Sequence, residues 1–369
     1  MFSKLRVQGL RGIPKLEING LKRINLFVGK NNSGKTTILE SIFLLIGATN
    51  PQLPLRINLF RGGFNVSDDN SLRVLFNKLI VNTDILLSGE LKNPSERRIL
   101  KIKPHLQSTL STNSTKSKMD QFFDLEDSYA GTTSVIDGLV MEFSLLRGKA
   151  QKAEEFVSKI IVKEINTEKG AERVLDSHPP QKYKEQLKGV FLNSRTIFYG
   201  GDLATRFNTI QIKKQTSAIV NVLKDIEPSL VSLTLGKDGV VYCDIGLDKL
   251  VPINVMGDGM FRLLFIIVSI FDSQNGVVLI DEIENGFHYL SQENLWNSIL
   301  RASEEFNVQV FATTHSMECV KAFSSVSSRN SKHDTVRLFR LEKKAENIRL
   351  VSYDNKTLSS SIESDWEVR

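Results

Sequence analysis

Eight consecutive residues, Gly29-Lys30-Asn31-Asn32-Ser33-Gly34-Lys35-Thr36, match the pattern G-x-x-x-x-G-K-[ST] in full. Glycines let such a loop wrap closely, so that the N–H groups of Asn31, Asn32, Ser33 and Gly34 face inward at phosphate oxygens. The helix that follows, opening at Thr37, adds its positive end. Lys35 is then placed to contact β- and γ-phosphates, and Thr36 to put its hydroxyl on Mg2+. A second constellation is Val277-Val278-Leu279-Ile280-Asp281-Glu282, four apolar residues followed by two carboxylates. Asp281 is the candidate holder of the Mg2+ shell, directly or through water. Glu282 is the candidate general base for a water attacking the γ-phosphate. The third is Phe311-Ala312-Thr313-Thr314-His315-Ser316, a strand-like run ending in polar residues, from which His315 could sense that phosphate. Alone, these are a glycine loop, a solvated strand end and a capping histidine; together they favour a nucleoside triphosphate site.

The elements that must position these residues are legible. Ile24 to Val28 is an apolar run stopped by glycine, which suits a buried strand. Ile38, Leu39, Ile42, Phe43, Leu45 and Ile46 have helical spacing over residues 37–46, with Gly47 as the stop. Upstream, Leu5–Leu10 and Leu16–Ile18 read as strands joined at Gly12-Ile13-Pro14. Residues 72–103 alternate as antiparallel strands turning at Asn93-Pro94, residues 107–117 read as a mobile loop, and 136–146 return as strand. A charged stretch, 149–172, is broken by His178-Pro179-Pro180, and 218–223 has a helical pattern. Residues 232–247 read as a hairpin turning at 236–239, and 336–353 as another. Strand 277–280, helix 292–306 and strand 308–312 form a βαβ unit, the first an all-apolar central strand.

Composition narrows the remainder. The 369 residues are 41% hydrophobic and 24% charged, enough apolar material for a sizeable core. A net charge of +6 spread over this length neither selects nor excludes nucleic acid. Cys243 and Cys319 stand outside any CxxC pattern and read as reduced thiols, which excludes a structural zinc site. The N-terminus has no apolar core of a signal peptide, and the longest apolar stretch, 263–271, is too short to span a bilayer. A cytoplasmic protein with no membrane partner is expected. Sustained heptads are absent, and no Ser-His-Asp constellation stands out.

The order of the three constellations resembles the ATPase heads of the ABC, SMC, RecF and OLD-type proteins. The run Asp281-Glu282-Ile283-Glu284-Asn285-Gly286-Phe287-His288 is similar to that of stand-alone bacterial ATPases in this group, and Leu5-Arg6-Val7-Gln8-Gly9-Leu10-Arg11-Gly12 resembles their first strand. The resemblance covers both ends of the chain well and its middle loosely. It implies a signature motif at a helix start, for which Met256-Gly257-Asp258-Gly259-Met260 ahead of helix 261–271 is the candidate. There Gly257, Asp258 and Gly259 would cradle a partner protomer's γ-phosphate, and Met256 stands where the family has serine. It also brings Arg11 near the base or α-phosphate, against the alternative of a surface arginine. Gln52 becomes a candidate for the glutamine that links Mg2+ to the rest of the head, and His288 becomes part of an interface loop.

The fold implied is α/β, a P-loop NTPase of ABC/SMC-head type with a mixed β-sheet flanked by helices. The sheet is expected to be parallel at its core, with antiparallel strands from the N-terminus. Residues 1–62 would form an N-terminal ATPase lobe, 63–248 an inserted β-rich and helical lobe, and 249–369 a C-terminal ATPase lobe. ATP and Mg2+ are the implied cofactors, and an ATP-bridged homodimer the implied assembly. The resemblance to ATPases of bacterial anti-phage systems, PARIS-like or Septu-like, implies a sensor or scaffold holding a separately encoded effector such as a nuclease or toxin. The alternative is a RecF/SMC-like DNA-binding ATPase of recombination or repair. OLD-type proteins append a nuclease domain beyond this point, and no acidic cluster for one follows Ser316.

Overall fold

The computed structural model describes residues 1–62, 70–106, 136–148, 150–167, 170–193, 203–329, 334–344, 347–364 and 368. The expected mobile loop at 107–117 lies outside them. The first half runs β1 (Phe2–Leu10), β2 (Ile13–Asn19), β3 (Ile24–Gly29), α1 (Lys35–Ile46), α2 (Leu53–Phe60), α3 (Asn70–Arg73), β4 (Ile85–Leu91), β5 (Glu96–Leu106), β6 (Ile136–Arg147), β7 (Glu154–Thr167), β8 (Gly170–His178) and β9 (Gly189–Leu192). The second runs α4 (Leu203–Ile212), α5 (Thr216–Leu223), β10 (Ser232–Leu235), β11 (Val241–Asp244), β12 (Val251–Pro252), α6 (Asp258–Asp272), β13 (Val277–Ile280), α7 (Gln292–Glu305), β14 (Gln309–Thr313), α8 (Met317–Arg329), β15 (Val336–Lys344), β16 (Asn347–Tyr353) and α9 (Asn355–Glu363).

Two large sheets organise these elements. One has the order β16-β15-β3-β14-β13-β9 and is parallel except for β16. Strands β3, β13 and β14 are buried at every position, as strands covered on both faces must be. The other sheet, β2-β1-β4-β5-β6-β7-β8, is antiparallel throughout. The N-terminal strands therefore do not flank the parallel sheet, as the sequence suggests, but start a sheet of their own. The reason lies in their pattern: β1 buries Phe2, Leu5, Val7 and Leu10 and leaves intervening residues at least partly open, a one-sided strand.

Helix α1 lies between the two sheets. Its Ile38, Leu39, Ile42, Leu44, Leu45 and Ile46 share one core with Leu5 and Val7 of the antiparallel sheet and with Phe27, Leu279 and Phe311 of the parallel one. Ten of its twelve residues are buried, so it lacks the polar stripe of a surface helix. The other face of the parallel sheet, with Leu26, Val28, Val278 and Ala312, packs on α4 to α8 in a second core. Alternation along β3, Leu26 one way and Phe27 the other, is what separates the two cores.

Several boundaries differ from the sequence pattern. Leu72 belongs to the short α3, not to a strand. The charged stretch at 149–172 lies largely in β7 and β8, where Phe156, Ser158 and Ile160 turn inward while Val157 and Lys159 stay exposed. Strand β9, within residues 63–248, joins the parallel sheet beside β13.

Candidate nucleotide site

The glycine loop connects the C-terminal end of β3 to α1, where open α/β sheets bind ligands. At Gly29, φ is 142°, and a β-carbon would come within 2.5 Å of the Leu341 carbonyl oxygen and 2.9 Å of Ser33 Oγ. Gly34, with φ 102°, is the N-cap of α1 and turns the loop into the helix. Asn31 and Asn32 are exposed on the loop, and the buried Ser33 Oγ has no hydrogen-bond partner. An oxygen-rich anion bound in the loop would give that orphaned hydroxyl a partner.

Lys35 Nζ donates to the carbonyls of Gly29 at 2.7 Å and Lys30 at 3.1 Å, and the residue is 5% exposed. Burial pushes its pKa down to about 8, opposed by the carboxylates of Asp281, Glu284 and Glu282. The next residue bridges the chain's two ends: Thr36 Oγ1 lies 3.1 Å from both Asp281 carboxylate oxygens. Asp281 follows directly on β13, its Oδ1 accepts from Thr313 Oγ1 at 2.6 Å, and burial raises its pKa. The parallel register sets Ile280 beside Ala312, so the residues beyond them, Asp281 and Thr313, share the sheet's edge.

Glu282 adopts a left-handed backbone, φ 50°. Its N–H donates to Thr313 Oγ1 at 2.9 Å, its carbonyl accepts from Arg262 Nη2 at 2.6 Å, and its Oε2 accepts from Asn285 Nδ2 at 2.8 Å. The His315 N–H donates to Glu284 Oε1 at 2.7 Å, which ties the turn after β14 to the turn after β13. Ser316 Oγ accepts from the Cys319 N–H at 3.1 Å, at the start of α8. Residues 29–36, 281–282 and 313–315 thus meet at one edge of the sheet. Thr36 and Asp281 supply hard oxygen donors suited to Mg2+, which keeps water and phosphate for its remaining positions. Among the described residues no cluster of three or more His, Cys, Asp or Glu gathers as a metal cage.

Other sequence candidates are placed differently. Arg11 is ion-paired to Glu40 of α1 at 2.8 Å and donates to Asn58 Oδ1 at 2.7 Å, while Arg61 holds the other Glu40 oxygen at 2.7 Å. Arg11 and Glu40 are buried or nearly so, and Arg11 is engaged in fastening α1 to α2 and its surroundings, neither a free surface group nor part of the glycine loop. Thr37 is buried and accepts from Arg61 Nη2 at 3.3 Å. Gly257, with φ 94°, caps α6, and Gly257 and Asp258 are exposed. Gly259 packs against the Gly286 carbonyl, so the helix start abuts the turn after Glu282. Gln52 is exposed before α2, and His288 is exposed with its Nδ1 facing the Leu290 N–H at 3.5 Å. Sequence reasoning missed Thr313, Asn285 and Arg262. The signal for Thr313 was its place just past the apolar part of its strand; the others became visible only through the turn that Glu282 makes. The two cysteines are buried free thiols, with pKa pushed up by burial to about 11 for Cys243 and about 12 for Cys319. A cavity of about 880 Å³ lined by Met1, Lys22, Lys92 and Asn307 lies at the opposite, N-terminal ends of the parallel strands.

A family model described as "AAA ATPase domain" matches residues 1–178, and one described as "AAA domain, putative AbiEii toxin, Type IV TA system" matches residues 141–320. An ATP/GTP phosphatase of Helicobacter pylori is 20% identical over 99% of this chain and 99% of its own length. The DNA replication and repair protein RecF of Francisella tularensis is 54% identical over 44 residues, 12% of this chain and 13% of that protein. Among solved structures, the chain is similar to an SMC head bound to the C-terminal winged-helix domain of ScpA, with a TM-score of 0.49 and 11% identity over 98% of this chain and 99% of that one. It is also similar to the SMC head of Thermotoga maritima, with a TM-score of 0.45 and 9% identity over 95% and 98%. Among the described residues no helix is long and apolar enough to cross a membrane.

Proposed function

We propose that this chain, which carries AAA-type ATPase domains and hydrolyses ATP, does so at the site formed by residues 29–36, 281–282 and 313–315. The observation that carries the reading is the Thr36–Asp281–Thr313 cluster, assembled from three distant segments at the mouth of the glycine loop. In this reading Lys35 leaves the carbonyls of Gly29 and Lys30 for the β- and γ-phosphate oxygens. Thr36 and Asp281 hold Mg2+, which when bound neutralises charge on the phosphates. Glu282 orients a water for in-line attack on the γ-phosphorus and takes its proton as the bond to the ADP oxygen breaks. His315 contacts the γ-phosphate from the adjacent strand.

A second copy of the chain completes the site, with Gly257, Asp258 and Gly259 reaching its partner's triphosphate. Exposed apolar side chains beside that helix start and in the turn after His288, Val255 at 72%, Tyr289 at 59% and Leu290 at 71%, support an interface there. The cellular role proposed is the sensor or scaffold of a bacterial anti-phage system that controls a separately encoded effector such as a nuclease. The match to a domain described with a type IV toxin–antitoxin system supports it. A RecF-like role on DNA is the second reading, favoured by the 54% identity over 44 residues.

The test uses Glu282→Gln. Hydrolysis should fall by about a hundredfold or more while ATP binding persists, and the variant should accumulate as an ATP-dependent dimer. Wild-type turnover from this variant would refute the assignment of the base. Copurification of a neighbouring gene product with the trapped dimer supports the effector reading, and salt-sensitive, ATP-dependent duplex binding the second.

A further inference from the structure

Arg262, five residues into α6, is 2% exposed, yet its donors are mostly unused. Nη2 donates to the Glu282 carbonyl at 2.6 Å, whereas Nε and Nη1 have no hydrogen-bond partner. The Oε2 of Glu284, two residues past Glu282, is likewise buried and unpartnered. Unmet buried donors are destabilising, those of a guanidinium most of all, so an arginine here needs a reason. A methionine would fill the space without that cost.

The reason lies at Glu282. A non-glycine residue at φ 50° is disfavoured, and it persists only where surrounding groups over-determine it. Here Thr313 Oγ1 fixes the N–H, Asn285 Nδ2 holds the carboxylate, and the carbonyl accepts from Arg262 Nη2 at 2.6 Å and from the Asn285 N–H at 3.2 Å. Thr313 belongs to β14 and also holds Asp281, and Asn285 sits within the turn itself, so Arg262 is the anchor that ties the turn to a helix. Its helix is the one whose start packs, through Gly259, on the Gly286 carbonyl of the same turn.

We propose that Arg262 is a positioning residue for hydrolysis: by gripping the Glu282 carbonyl it fixes the left-handed turn that presents the base, and so ties the base to α6. The inference rests on the reading of Glu282 as the base.

Arg262→Met, Arg262→Lys and Glu282→Gln are compared with the wild-type protein in three measurements: steady-state hydrolysis, equilibrium binding of ATP, and amide hydrogen exchange at Asn285 and Phe287 without nucleotide. Misplacing a reacting group by about 1 Å costs about a hundredfold. Arg262→Met should lose about that in kcat with KM and the ATP dissociation constant within about twofold, and both amides should exchange faster. Arg262→Lys, which keeps a charge and a donor on the carbonyl, should fall between it and wild type. Loss of ATP affinity in either variant, unchanged exchange, or wild-type kcat in the lysine variant overturns the inference. The last outcome decides even if the methionine variant does not fold. If Glu282→Gln keeps wild-type turnover, the reading of the base fails by itself. If it is inactive beside fully active Arg262 variants, only the present inference falls.

Discussion

Replacing Lys35 with methionine should make the nucleotide-free protein more stable while removing its grip on ATP. Lys35 is 5% exposed, and its pKa falls from the ordinary 10.5 to about 8 because burial disfavours its charge. That lowering corresponds to about 3 kcal/mol of destabilisation at neutral pH. Methionine has similar length and no charge, but it also abandons the carbonyls of Gly29 and Lys30, returning about 1–2 kcal/mol of the gain. A net gain of about 1–2 kcal/mol remains, or about 1.5–3 °C in melting temperature for a chain of this size.

The sign with pH is opposite to that of a salt-bridged lysine. Between pH 8 and 10.5 the unfolded chain still holds the Lys35 proton and the folded protein has released it, so folding gains stability as pH rises. Below pH 8 both states are protonated and the difference is flat. Chemical denaturation at several pH values should show the wild-type protein gaining about 3 kcal/mol relative to Lys35→Met over that window, enough to overtake it. Calorimetry with Mg-ATP should raise the wild-type melting temperature and leave the variant unmoved. A variant less stable than wild type at pH 7, with parallel pH curves, would refute the argument that the loop holds its lysine at a cost.

The same lysine makes ATP affinity fall with pH: the charged form binds phosphate, so raising pH from 7 to 9 through a pKa of about 8 should weaken binding about tenfold, with proton uptake visible in buffers of different ionisation enthalpy. Arg98, 1% exposed, donates to the Leu45 and Ile46 carbonyls at 3.0 and 3.2 Å at the end of α1 and pairs with Glu185 at 2.8 Å and with Glu96. Arg98→Met leaves two carboxylates and a helix end without it and should cost about 3–5 kcal/mol in urea unfolding, with an unchanged m-value.

How much was legible follows from what each segment had to satisfy. The glycine loop, the apolar strand with Asp281-Glu282 and the Thr-Thr-His run could be read because each is contiguous and its chemistry needs those residue types in order. Helix α1 was clear from its spacing, although burial between two sheets leaves Glu40 inside it, paired with Arg11 and Arg61. The resemblance that drew Arg11 toward the nucleotide could not reveal this ion pair, because Arg11, Glu40 and Arg61 are brought together only by folding. The antiparallel sheet was half legible: Phe2, Leu5 and Val7 announce a one-sided strand, but not which strands it joins. The hairpin β7–β8 hid behind its charges, since half of an exposed strand is free to carry them.

The central claim is that the Thr36 hydroxyl and the Asp281 carboxylate, 245 residues apart in sequence, act on one bound Mg-ATP. A double-mutant cycle of Thr36→Val and Asp281→Asn, read as Mg2+-dependent ATP affinity, tests it most directly. The two substitutions should be strongly non-additive, with a coupling of about 1–3 kcal/mol, because either one alone dismantles the same site. Losses that simply add, or a double variant whose ATP affinity still rises with Mg2+ as in wild type, would contradict it.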